Sequence, residues 1–140
     1  MKREKTLVFG INVAREPNPN LTLLRVTITP EHTKLDMGYS AIRYYIKGGW
    51  IRISPKTHLR IQGSEEKFSL TKADNIPIAP NHHHFESTRD WQYFSLYFPP
   101  IPQEDCVIHL IEEENPTRND FNIYDIQLNI NDSKEIIQLF

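Results

Sequence analysis

From Trp50 to Ile53, and again from Leu59 to Ile61, apolar and polar positions alternate, with Pro55 interrupting the run. A period of two is the mark of a half-buried strand, because successive side chains point to opposite faces. The same pattern recurs along the chain. Leu7 to Val13 reads as a first strand, and Leu21 to Thr29, rich in β-branched residues, as a second that Pro30 ends. Thr33, Leu35, Met37 and Tyr39 alternate with Lys34, Asp36 and Gly38. Ile42 to Ile46 fits either a strand or a helical turn. Phe94, Leu96 and Phe98 point one way and Tyr93, Ser95 and Tyr97 the other, until Pro99 and Pro100 stop the run. Val107 to Ile111 is a further strand. In Phe121 to Ile130 the early apolar residues, Phe121 and Ile123, are out of phase with Ile126, Leu128 and Ile130, which predicts a β-bulge.

Breakers lie between these runs. The segment from Arg15 to Asn20 is rich in proline and asparagine, Gln62 to Glu65 has the composition of a hairpin turn, and Asp74 to Phe85 reads as a long loop. Ser133 to Phe140 fits either a last strand or a short helix capped by Ser133. About seven or eight short strands separated by turn signals predict an antiparallel sandwich or barrel. The expected core is Val26, Ile28, Leu35, Met37, Trp50, Ile51, Ile53, Leu59, Ile61, Phe94, Leu96, Phe98, Ile108, Leu110, Ile126 and Leu128.

Composition narrows the functional classes. A chain of 140 residues fits a single domain, 1–140, with its core in 21–130. The net charge is −2, and Lys and Arg are scattered, so the concentrated basic face of a nucleic-acid binder is missing. No apolar stretch reaches the ~20 residues of a membrane-spanning helix. The basic start, Met1 to Lys5, lacks the long apolar stretch and cleavage site of a signal peptide, so none is expected in the sequence as it stands. One cysteine, Cys106, excludes an intrachain disulfide and a Cys-rich zinc site. With Glu104 and Asp105 beside it, a packed thiol is expected rather than a reactive one.

Several segments, in order, resemble an immunoglobulin-like β-sandwich domain of Bacteroides-group proteins, often found N-terminal to a thioredoxin-like domain. The segments are Leu24 to Ile28, Glu31 to Leu35, Trp50 to Ile53 with Thr57 to Leu59, Phe94 to Pro102, Leu110 to Glu112, and Phe121 to Ile126. The resemblance implies an immunoglobulin-like sandwich, an exported or envelope-associated setting and no catalytic residues. The chain departs from the family pattern in two places. No Cys-x-x-Cys follows, and Ala41 to Gly49 is longer than the pattern.

Candidate chemistry is sparse. His82, His83 and His84 are the metal candidates, since neutral imidazoles bind Zn²⁺, Ni²⁺ or Cu²⁺. In an extended segment at most two of the three converge, and the run is read as a polar loop with no assigned metal. Glu112, Glu113 and Glu114 with Asp120 read as a solvated acidic loop, without the ligand spacing of a calcium loop. No nucleophile elbow, catalytic triad or phosphate-binding glycine loop occurs. Among the aromatic residues, Tyr39 is assigned to the core with Trp50. Tyr44 and Tyr45, in the extra segment, are the leading candidates for a partner- or ligand-binding patch, with Trp50 and Trp91 beside them.

The sequence therefore reads as an all-β, immunoglobulin-like sandwich with no cofactor. It acts as a non-catalytic interaction or structural module, with a protein partner or self-association through 41–50. A carbohydrate-binding module using exposed aromatics is the alternative, and a small hydrolase is a more distant one.

Overall fold

A computed structural model of the chain describes residues 3–11, 17–41 and 49–139. The elements, in order, are β1 (Arg3–Gly10), β2 (Leu21–Ile28), β3 (Thr33–Ser40), β4 (Trp50–Ile51), β5 (His58–Ile61), β6 (Phe68–Ser69), β7 (Lys72–Asp74), β8 (His83–His84), β9 (Trp91–Phe98), β10 (Cys106–Ile111), β11 (Ile123–Leu128), a 3-10 turn at Ile130–Asp132, and β12 (Ser133–Leu139). The larger sheet runs β12-β1-β2-β3-β9-β7, the second β11-β10-β5-β6, and β4 pairs with β8 in a two-stranded ribbon. Every strand pairing is antiparallel, and an isolated parallel bridge joins Ile53 to Ile78. The chain is all-β.

Alternation builds the core. Val26 and Ile28 on β2, Leu35 and Met37 on β3, and Phe94, Leu96 and Phe98 on β9 turn to one side of the larger sheet. Leu59, Ile108, Leu110, Ile123, Ile126 and Leu128 come from the second sheet, and both sets belong to one apolar cluster. Phe121 joins them, its ring 5.2 Å from Tyr39 and 5.9 Å from Phe94. Burial of such side chains contributes roughly 1.5–3 kcal/mol each.

The expected bulge is present. Ile108 pairs with Ile126 but Leu110 with Ile123, so two steps on β10 face three on β11. Asp125 takes up the extra residue at φ 59°, and its N–H donates to His109 Nδ1 at 3.1 Å. The phase slip is what lets Phe121, Ile123, Ile126 and Leu128 all be buried. The hairpin turn after β5 is also present, with Gly63 at φ 90° and Ser64 N–H donating to the Ile61 carbonyl.

Other expectations need correction. Twelve strands form among the described residues, not seven or eight. The surplus includes β4, β6 and β8, two residues each, which are too short to show a period. Trp50 is not core: it is 46% exposed while Ile51 is buried. Neighbours on a strand cannot both face inward, and Ile51 and Ile53 take the inner side. Ile61 is only half-buried, because β5 ends there against the turn. Asp74 to Phe85 is not all loop, since it contains β8 and the bridge at Ile78. The segment from Ser133 forms a strand that pairs with β1 along its whole length. Tyr44 and Tyr45 lie outside the described residues.

Candidate functional site

Two exposed aromatic clusters stand out among the described residues, with a cleft beside the first. The first cluster sits on the β4–β8 ribbon. Register places Trp50 directly opposite His84 and Ile51 opposite His83. The Trp50 indole lies 5.1 Å from the His82 ring, and the Arg52 guanidinium lies 4.9 Å over the indole. Alternation puts His82 and His84 on one side, their Nε2 atoms 2.8 Å apart, while His83 packs edge-on against buried Phe85 at 5.5 Å. Two of the three histidines therefore converge. Among the described residues no three His, Cys, Asp or Glu side chains gather around a common metal position.

A cleft of about 230 Å³ adjoins Trp50, lined by Tyr39, Ile51, Arg52, Glu112, Asn119, Asp120 and Phe121 along with the indole. Glu112 is not the solvated acid that its sequence neighbourhood implies. Its Oε2 accepts the Ser54 N–H at 2.9 Å and its Oε1 accepts the Phe121 N–H at 2.7 Å. Burial raises its pKa, and those two N–H groups pull the other way. Asp120 is likewise engaged, its Oδ2 accepting from the Thr117 N–H and hydroxyl at 2.8 and 3.2 Å. The two carboxylates in the cleft fasten backbone. Beside them Asn122, 0% exposed, accepts the N–H groups of Glu112 and Glu113 and donates to the Glu113 carbonyl and the Tyr124 hydroxyl.

The second cluster lies on the outward face of the larger sheet. Trp91 is 53% exposed and Tyr93 39%, with ring centroids 6.3 Å apart. They stand two residues apart on β9, so they share a face. Opposite them on β3 are Ser40 and Gly38. Further along the same face Asp36 is buried at 1%, held by Arg25 Nε at 2.8 Å and the Ser95 hydroxyl at 2.7 Å, with Lys34 at 3.5 Å. The Tyr97 ring then lies under the ammonium groups of Lys34 and Lys72 at 5.6 and 5.2 Å.

Trp50 and Trp91, grouped together from sequence, thus sit in separate clusters with separate partners. Sequence reasoning missed Arg52, Glu112, Asn122 and the Asp36 network. An aspartate at an outward position opposite an arginine is a usable signal for Asp36, because register pairs Asp36 with Arg25. Cys106 is half-buried at the start of β10, and burial, then Glu104 and Asp105, raise its thiol pKa, so it lacks thiolate character. No helix among the described residues is long and apolar enough to cross a membrane. The chain matches no protein-family model, and no curated protein or solved structure matches it either.

Proposed function

We propose that the chain is a non-catalytic interaction module built on an immunoglobulin-like β-sandwich. The observation that carries this reading is the exposure of two indoles, Trp50 and Trp91, beside a core that buries other large apolar side chains. Exposed tryptophans clustered with arginine or tyrosine are the side chains that dominate binding energy at interfaces. Two sheets sharing one apolar cluster support the sandwich, and the order of segments that resemble the Bacteroides-group domain supports its immunoglobulin-like variant. The commitment of Glu112 and Asp120 to backbone N–H groups supports the non-catalytic part, since a general acid or base must be free to reach a reacting proton.

Trp91 favours a second, narrower reading as a carbohydrate-binding module. The edge of its six-membered ring rests over Gly38, so the indole is held in place while the residue stays more than half exposed. A fixed aromatic face with a negative quadrupole suits the weakly positive C–H groups on one side of a sugar ring.

The test is a glycan array together with sedimentation velocity over a range of concentrations, on the wild type, Trp50→Ala and Trp91→Ala. Saccharide binding or self-association that one of these variants abolishes supports the module. A wild type that binds no saccharide and stays monomeric throughout, or binding that both variants leave intact, overturns it.

A further inference from the structure

We propose that His82 and His84 form a surface chelate for a divalent transition-metal ion, Cu²⁺ above all. The inference is independent of the interaction-module reading. It rests on the juxtaposition of the two Nε2 atoms, 2.8 Å apart. Two cis ligands at about 2.0 Å from a metal stand about 2.8 Å apart at a 90° bond angle and about 3.3 Å apart at the tetrahedral angle. The observed separation is that of a hydrogen bond between the two Nε2 atoms; it holds the pair within chelating reach of either geometry, and the order of affinities for nitrogen ligands selects Cu²⁺.

The backbone sets this spacing. Residues i and i+2 of an extended segment share a face; His84 is held in register by the pairing of β8 to β4, and His82 immediately precedes that strand. The His82 ring is fixed on its flank by the Trp50 indole. Its Nδ1 points toward the Pro80 carbonyl, 3.5 Å away, which leaves Nε2 as the coordinating atom. Without metal the two rings face each other nitrogen to nitrogen, and a bound ion takes the place of that contact. All three histidines are exposed, so an ion enters from solvent, and water fills the positions the two imidazoles leave open. Among divalent first-row ions Cu²⁺ binds such nitrogen sites most tightly.

Trp50 supplies the readout, because Cu²⁺ bound at His82 lies close enough to quench its fluorescence. The chain has two tryptophans, so Trp91→Phe leaves Trp50 as the sole indole. In that background, Cu²⁺ titration should quench Trp50 with a stoichiometry of one, and the frozen-solution EPR spectrum should carry hyperfine structure from two imidazole nitrogens. His82→Ala and His84→Ala should each weaken the quenching midpoint by more than about tenfold, at least what loss of an outer-shell partner costs. His83→Ala, whose ring faces Phe85, should leave it in place. Because the three side chains are exposed, the variants should keep the parent's Tm. The proposal is overturned if His82→Ala or His84→Ala quenches like the parent, if His83→Ala weakens binding as much as they do, or if Zn²⁺ competes with Cu²⁺ at equal concentration.

Discussion

The Trp91 indole occupies the space above Gly38 that any other residue's Cβ would claim. Gly38 lies on β3 opposite Tyr93, and Trp91 is the next outward residue along β9. The missing side chain on one strand thus makes the seat for an aromatic ring on its neighbour, which a glycine within a strand often marks.

Gly38→Ala should unseat Trp91 rather than unfold the chain. Overpacking a closed site costs about 1–3 kcal/mol, but this ring can swing into solvent, and replacing glycine returns about 0.4–1 kcal/mol of backbone entropy. The net change in stability should stay within about 1 kcal/mol. In a Trp50→Phe background the emission of Trp91 should shift to the red. An unchanged spectrum would show that the indole does not rest there.

Asp36→Ala should cost about 2 kcal/mol at neutral pH, from the loss of hydrogen bonds to a charged group. Burial acts to raise the pKa of Asp36, but Ser95, Arg25 and Tyr93 hydrogen bonds and the Lys34 charge outweigh it and hold the pKa below the ordinary value. A depressed pKa gives stability that is present above the unfolded value of about 3.9 and fades as pH falls through the folded one. Urea unfolding at neutral and acid pH should therefore show the gap between wild type and Asp36→Asn closing on acidification.

Glu112→Gln should behave in the opposite sense. Its amide offers one acceptor oxygen to the two N–H groups of Ser54 and Phe121, a loss of about 1–2 kcal/mol. Because burial raises the Glu112 pKa, the folded chain holds that proton more tightly than the unfolded one. The stability this adds is fully present below the unfolded value of about 4.3 and is lost as pH rises through the folded pKa. The deficit of Glu112→Gln should be largest in acid and shrink toward neutrality, and a deficit that grows with pH would refute the assignment.

Asn122→Ala should be the most damaging of these changes. It strands two backbone N–H groups, the Glu113 carbonyl and the Tyr124 hydroxyl around a buried position. A loss of about 3 kcal/mol, or about 10 °C in Tm, is expected in a thermal melt.

Where side chains alternate over a long strand, the fold was legible in the sequence. Leu35, Met37, Phe94, Leu96 and Phe98 are buried as their period requires, and the phase slip between Ile123 and Ile126 marked a real bulge. Trp50 shows where such reasoning fails. Hydrophobicity argued for the core, but parity gave the inner side to Ile51 and Ile53, and parity prevailed. That at most two of His82, His83 and His84 converge followed from alternation, whereas the contact of His82 with Trp50 depended on the β4–β8 register, which pairs residues over thirty positions apart. Glu112 and Asn122 carry no local signal, because their roles are fixed by backbone amides brought from other segments.

The pairing of β1 with β12 has a mechanical consequence. Arg3 stands opposite Leu139 and Phe9 opposite Ser133, so the outer ends of the first and last strands lie side by side. Tension applied at those two ends would pull the ladder open like a zipper, loading one rung at a time, instead of shearing all rungs together. Held there, the larger sheet would yield at low force and peel from one edge.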